Sequence, residues 1–331
     1  MRSIKYLLAV MVFLSSISCG WFIWFASAPL ALQGRPRVDF SISAGASLRS
    51  ASQQMADAGL GFSPWQFTLL VRLLGKATEL KAGSYEVEQG ATPLTLLNKL
   101  TQGDFSQDQI VFVEGKTFRQ MRAQLDAHPS LRHDTQGWTD QDILARLDVP
   151  EKHPEGLFFP DTYLFAKHSS DLDVLRRAYR AMQQHLDLAW RQRDPLIQLS
   201  TPYQVLIMAS IIEKETGQTA DRPQIAAVFS NRLRRGMLLQ TDPSVIYGIG
   251  EKFDGNLRKR DLQGDSPYNT YLRSGLPPTP IAMPGLASLQ AALHPPQSDK
   301  LYFVARGDGT SEFSRSLDEH NRAVNKYQRG R

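Results

Sequence analysis

Cysteine is almost absent from this 331-residue chain. Its one cysteine, Cys19, excludes an internal disulfide framework and any CxxC metal or redox motif. Histidine is sparse as well: the seven are scattered, none forms HExxH, and no pair stands at helical ligand spacing, which argues against a zinc site. No glycine-rich phosphate loop is present, since Gly248-Ile249-Gly250 lacks the rest of a nucleotide fingerprint. Charge of one sign is scarce too. A formal net charge of +5, part of it from Arg2 and Lys5, describes a mildly cationic surface and makes no case for nucleic acid. What is present is an ordinary globular composition, 42% hydrophobic and 21% charged, long enough for two or three domains.

The longest hydrophobic run lies at the amino terminus. From Tyr6 to Ala28 no residue is charged, and the next charge is Arg35. About 20 apolar residues cross a bilayer core as a helix, so residues 6–28 are expected to form a single transmembrane helix. Tyr6 marks one end and Trp21, Phe22, Trp24 and Phe25 the other, as interfacial aromatics do. Ala26-Ser27-Ala28 resembles a signal-peptidase site, but the run is too long for a simple signal and Pro29 would follow the cut. Cys19 follows a poor lipobox, Ser16-Ile17-Ser18. The expected layout is a cytoplasmic stub at 1–5, the anchor at 6–28 and a linker at 29–37, in a bacterial inner membrane with the bulk of the chain periplasmic.

After the linker one pattern recurs: a short strand, a glycine turn, then a helix opened by Ser or Thr. Phe40–Ser43, Ser84–Val87 and Gln109–Val113 read as the strands, with Gly45, Gly90 and Gly115 turning the chain. Ser47, Thr92 and Thr117 are placed to cap the helices, and Pro93 suits a first helical position. Ser63-Pro64 opens one more helix. Residues 38–107 therefore read as a small β-α-α-β module, either a folded spacer or a polysaccharide binder. Residues 108–331 read as a larger α+β region: an aromatic loop at Glu155–Tyr163, helices at Ser170–Asp194, Pro202–Thr216 and Asp221–Arg235, a hairpin around Gly307-Asp308-Gly309, and a last helix at Leu317–Gln328.

Chemistry-bearing residues concentrate between Ser210 and Pro295. The helix from Pro202 is apolar almost throughout and ends in Glu213-Lys214-Glu215. A solvated helix end is the plain explanation. Against it, the helix dipole disfavours carboxylates at a C-terminus. Glu215 stacks over Ile211 and Ile212 and Glu213 over Ala209 and Ser210, so Glu215 is expected to have the drier surroundings, where desolvation would hold a general acid's proton. Ser210 and Lys214 stand one residue too far apart for a Ser-x-x-Lys nucleophile. Asn231, Gln240, Thr241, Asp242, Tyr247, Tyr268, Asn269, Thr270 and Tyr271 supply amides, hydroxyls and aromatic faces. Singly such residues serve as caps and turn formers; their density is what suggests a glycan cleft.

These residues carry a resemblance. Ala209-Ser210-Ile211-Ile212-Glu213-Lys214-Glu215-Thr216 resembles the signature of the endolytic murein transglycosylases (the MltG or YceG-like family). Leu239-Gln240-Thr241-Asp242-Pro243, Tyr268-Asn269-Thr270-Tyr271, Gly275-Leu276-Pro277-Pro278 and Gly156-Leu157-Phe158-Phe159-Pro160-Asp161-Thr162-Tyr163 are similar to its further blocks. The resemblance implies a LysM-like glycan-binding module at 38–107, a catalytic domain at 108–331, and Glu215 as catalytic acid. It also implies peptidoglycan strands as substrate, cell-wall synthases as partners, and no metal or organic cofactor. Two other classes stay open: a non-catalytic peptidoglycan binder, and a lysozyme-like hydrolase pairing Glu215 with Asp242.

Overall fold

The computed structural model describes residues 2–330, with the side chains of residues 2–5, 7–10 and 14 excepted. It is an α+β chain in two compact units. One comprises Met1–Gln109, Ser130–Arg132 and Leu164–Ser169; the other comprises Ile110–Pro129, His133–Tyr163 and Ser170–Arg331.

The first unit opens with α1 (Arg2–Ser27), followed by β1 (Arg37–Ile42), α2 (Leu48–Asp57), α3 (Pro64–Leu73), β2 (Gly83–Glu88) and α4 (Pro93–Gln102). Strict alternation along β1 sends Val38, Phe40 and Ile42 inward. β1 pairs antiparallel with β2, setting Phe40 opposite Tyr85 and Val38 opposite Val87. Helices α2, α3 and α4 cover the sheet with Met55, Phe67, Leu70, Leu96, Leu97 and Leu100, all fully buried, each contributing roughly 1.5–3 kcal/mol. Ser47 accepts from the Ser50 N–H and Thr92 from the Thr95 N–H, the caps expected from the repeating pattern. The helix expected as an anchor forms as α1, 26 residues long. Part of that run lies among side chains outside the description, and among the described residues no helix is long and apolar enough to cross a membrane. The carboxyl end of α1 belongs to the unit's core: Phe25 is buried there, followed by Leu30 and Leu32.

The third strand of the pattern, β3 (Gln107–Val111), pairs instead with β4 (Thr162–Ala166) in a sheet of its own. β4 was not expected; the Glu155–Tyr163 stretch reads as loop, and its last two residues begin this strand. Its last residues belong to the first unit, within which Lys167 Nζ lies 2.8 Å from Glu86 and 3.1 Å from Asp39.

The second unit holds α5 (Phe118–Asp126), α6 (Asp140–Arg146), α7 (Asp171–Arg191), α8 (Pro202–Glu215), α9 (Arg222–Arg234), α10 (Asp242–Ile249), α11 (Lys259–Gln263) and α12 (Leu286–Leu293). The hairpin β5 (Tyr302–Ala305) and β6 (Ser311–Ser314) and the final helix α13 (Leu317–Gln328) complete it. α8 is the central element. Every residue from Val205 to Ile212 is buried, because no face of that stretch is polar. It packs on α12, α9, α7 and α10. Even its serine is used: Ser210 Oγ donates to the Ile207 carbonyl at 2.7 Å and accepts from the Ile281 N–H at 3.0 Å, tying α8 to the proline-rich loop before α12. The only charges on this rod lie in its last turn, at the edge of the unit's core.

Candidate active site

The last turn of α8 sends its two glutamates into different surroundings, as residues two apart must. Glu213 enters a buried ion pair. Arg222 Nη2 lies 2.9 Å from Glu213 Oε1, and the two side chains are 8% and 5% exposed. The other oxygen, Oε2, accepts from Ser288 Oγ at 2.7 Å and from the Gly285 N–H at 3.1 Å. Arg222 also faces Glu114 at 3.7 Å. Burial and the nearby Glu213 push the Glu114 carboxyl above its ordinary range, and Arg222 partly offsets them. The solvated helix end is therefore corrected for Glu213. Arg222 on α9, nine residues on, and Ser288 on α12, 75 residues on, remove it from water. Three polar partners thus hold the Glu213 carboxyl in place.

Glu215 points the other way, into an open cavity of about 570 Å³ in the second unit. Arg232, Leu239, Gln240, Asp242 and Tyr271 line it, together with Tyr302, Phe303, Ser311 and His320 from the hairpin and α13. One hydroxyl, Thr241 Oγ1, donates to Glu215 Oε1. Desolvation raises the Glu215 carboxyl to about 7; Asp242 adds to the rise, while the Thr241 hydrogen bond and the Arg232 charge oppose it. Near neutral pH this carboxyl is both protonated and ionised, the condition a group needs to give a proton and take one back.

The turn before α10 aims Thr241. Its N–H donates to Thr270 Oγ1 at 3.0 Å, and its carbonyl accepts from Ser244 Oγ at 2.9 Å. Thr270 and Ser244 are themselves 2.9 Å apart. Gln240, just before, holds φ at +51°, a conformation costly for a residue with a side chain, fixed by its N–H on the Thr270 carbonyl at 3.0 Å. Arg232, on α9, is largely saturated by backbone: Nε donates to the Leu301 carbonyl at 2.7 Å and Nη1 to the Leu239 carbonyl at 2.9 Å. Its guanidinium lies over the Tyr302 ring at 5.0 Å, and His320 stacks on Tyr302 at 5.3 Å.

Of the nine residues expected to bind substrate, Gln240, Asp242 and Tyr271 reach this cavity beside Glu215. Asp242 is exposed and accepts from Tyr271 Oη at 2.5 Å. Thr241 touches Glu215 itself. The other five point elsewhere. Asn231 donates to the Ser298 and Lys300 carbonyls, and Asn269 to those of Leu262 and Gly264. Tyr268 Oη bonds Thr279 Oγ1 at 2.9 Å, and Thr270 backs Thr241. Tyr247 Oη donates to Glu155 Oε2 at 3.1 Å. Glu155, buried, also accepts from the Phe118 N–H at 2.9 Å, and burial lifts it to about 7. Tyr302 and His320 were missed because β5 and α13 read only as strand and helix; an aromatic pair, Tyr302-Phe303, at the start of a hairpin was their one local signal.

An α+β unit whose buried helix ends on a carboxyl facing a cleft lined by polar and aromatic side chains has the geometry an acid–base site needs. Comparison with known proteins narrows the class. The profile of the YceG-like family matches residues 40–326, and the chain belongs to that family. A relative from Bacillus subtilis named endolytic murein transglycosylase is 33% identical over 324 residues, covering 90% of this chain and 87% of the relative. A protein of the same name from Streptococcus pneumoniae is 26% identical over 96% of this chain, which spans 64% of that longer relative. The crystal structure of a yceG-like protein from Listeria monocytogenes aligns with a TM-score of 0.55 at 31% identity, covering 87% of this chain and 98% of that one.

Proposed function

We propose that this chain is an endolytic murein transglycosylase, with Glu215 as its acid and base. The observation that carries the proposal is the Glu215 carboxyl, raised to about 7 where it faces the cavity. The names of the relatives supply the substrate, the glycan strands of peptidoglycan.

The reaction follows from one carboxyl. Protonated Glu215 gives its proton to the oxygen linking N-acetylmuramic acid to N-acetylglucosamine, and the C1–O bond breaks with its electron pair leaving on that oxygen. The ionised Glu215 then takes the proton of the muramoyl 6-hydroxyl as that oxygen bonds to C1. The products are a free 4-hydroxyl and a 1,6-anhydromuramoyl end, with no water consumed. A hydrolase divides this work between two carboxylates. Here an internal hydroxyl, already held beside C1, replaces water. Arg232, near enough to favour the ionised form, supports the first half of the cycle, in which Glu215 gives up its proton.

One other reading has an observation in its favour. Asp242 lines the same cavity, where a lysozyme-like hydrolase would want its second carboxylate. Mass spectrometry of digested glycan strands separates the two: anhydro ends are lighter than hydrolysed ends by one water. Reducing ends throughout would sink the transglycosylase. A non-catalytic binder has no use for a proton-cycling carboxyl, and an inactive wild-type enzyme on intact strands would favour it.

The anchor belongs to the same proposal. The charge-free run from Tyr6 to Ala28 supports α1 as a single span of a bacterial inner membrane, amino terminus inside and both units periplasmic. Residues 38–107, with their capped βααβ layout, are proposed as a LysM-like module that places the glycan. An enzyme so placed would end the polymerisation of nascent strands, with cell-wall synthases as its partners.

A further inference from the structure

α3 is apolar on both faces. Inward, Phe67, Leu70 and Val71 are buried in the core of the first unit. Outward, Trp65, Leu69 and Leu73 recur every fourth residue along one stripe, continued by Leu74; Trp65 is 58% and Leu73 63% exposed. A helix apolar all round normally has a second apolar surrounding. The outward stripe runs on into α1. Trp65 stacks on Trp21 at 5.6 Å, and Leu69 and Leu73 line one side of a groove of about 540 Å³ whose other side is Ile17, Trp21 and Phe22. α3 carries no acidic residue, and exposed Arg72 borders the stripe.

We propose that this outward face of α3 docks on the phospholipid bilayer, so that the first unit lies on the membrane surface beside α1. The occupant follows from continuity and composition. The stripe is an unbroken extension of the surface of α1, a helix whose described outward residues include Val12, Phe13, Ile17, Ile23 and Trp24, all exposed. Indoles collect where the two helices meet, and indole prefers the interfacial zone between acyl chains and headgroups. Arg72 is placed to meet lipid phosphate, as basic residues at the border of an interfacial helix do. The proposal rests on the reading of α1 as membrane-bound, and it adds a second contact that a spanning helix alone does not require. Its consequence is geometric: the first unit is held flat at the bilayer and does not swing on a tether.

The test uses the full chain with Cys19→Ser, reconstituted in vesicles of phosphatidylethanolamine and phosphatidylglycerol. An environment-sensitive fluorophore is placed on Leu69→Cys, on Leu73→Cys, on Phe13→Cys in α1, or on Gln53→Cys on the exposed side of α2. The four positions are exposed, so the cysteines leave the core intact. Spin-labelled lipids carry the quencher either near the headgroup or deep in the chain. Loss of fluorescence at positions 69 and 73 with the shallow quencher, and none at 53, is the expected result. Quenching at 13 without quenching at 69 or 73 would overturn the docking and leave the anchor standing. Quenching at 69 and 73 without deep quenching at 13 would uphold the docking and remove the span. Unquenched labels at 69 and 73, joined between copies by a bifunctional maleimide when left as cysteines, would give the face to a second copy and overturn the proposal.

Discussion

Glu215 and Glu213 differ by two positions in sequence and by their whole chemistry in the fold. Glu215→Gln keeps the shape and the Thr241 contact but cannot cycle a proton, and loss of acid–base catalysis costs about 10²–10⁴ in rate. Because the proposed mechanism gives one residue both half-steps, cleavage is expected to fall at least that far with glycan binding kept, measured by strand digestion and pull-down. The wild-type rate under kcat/KM conditions should fall about tenfold per pH unit above the Glu215 value of about 7, since the free enzyme must carry the proton. The same shift has a stability sign. An acid whose folded value lies above its unfolded one leaves the fold most stable below about 4.5 and progressively less so up to about 7. Glu215→Gln is therefore expected to unfold at higher temperature than wild type at pH 8, by roughly 1–3 kcal/mol, with the gap closing near pH 4. Glu213→Gln should do the reverse. It leaves Arg222 buried without its main counter-charge, which costs about 3–5 kcal/mol, so denaturant melts should move while turnover per folded molecule stays measurable.

Helices were legible because their ends are written locally. Ser47, Thr92 and Thr117 cap where the pattern predicts, and α13 keeps its expected bounds from Leu317 to Gln328. What sequence could not show is which distant segment each element meets. Thr162–Ala166 becomes a strand only because β3 lies beside it, and α6 and α11 are too short for a clear period. The cleft divides the same way. Residue type marked Asn231 and Asn269 as donors, but direction gave their amides to carbonyls of the protein, whereas Tyr302 and His320 reach Glu215's cavity by the return of the hairpin and α13. Ser210 is the seam between α8 and the loop that precedes α12. Ser210→Ala removes the partner of the buried Ile281 N–H, which should cost about 1–3 kcal/mol in thermal or chemical melts. If Ser210→Ala proved neutral, the loop would have another support. A deletion that ends at Gln107 would strip Asp39 and Glu86 from Lys167, so the role of the small module is better read from surface substitutions than from its removal.

For the whole molecule, the question is which side of a membrane the chemistry faces. Arg2, Lys5 and the terminal amine favour an inside amino terminus, while Arg35 and Arg37 beyond the apolar run oppose it. The opposition is weak, because a following domain of some 300 residues translocates largely regardless of nearby charge. The proposed substrate favours the same direction, since glycan strands are polymerised outside the cytoplasmic membrane. The proposed anchor needs an uncleaved α1, and the burial of Phe25, Leu30 and Leu32 in the first unit gives a structural reason for its retention: a cut before Pro29 would take Phe25 out of that core. Protease added to spheroplasts is accordingly expected to digest the second unit, and mass spectrometry of the purified chain should find peptides from residues 6–28 still attached. A protected second unit would reverse the topology. A mature terminus at Pro29 would remove the anchor, and the first unit would then have to hold together without Phe25.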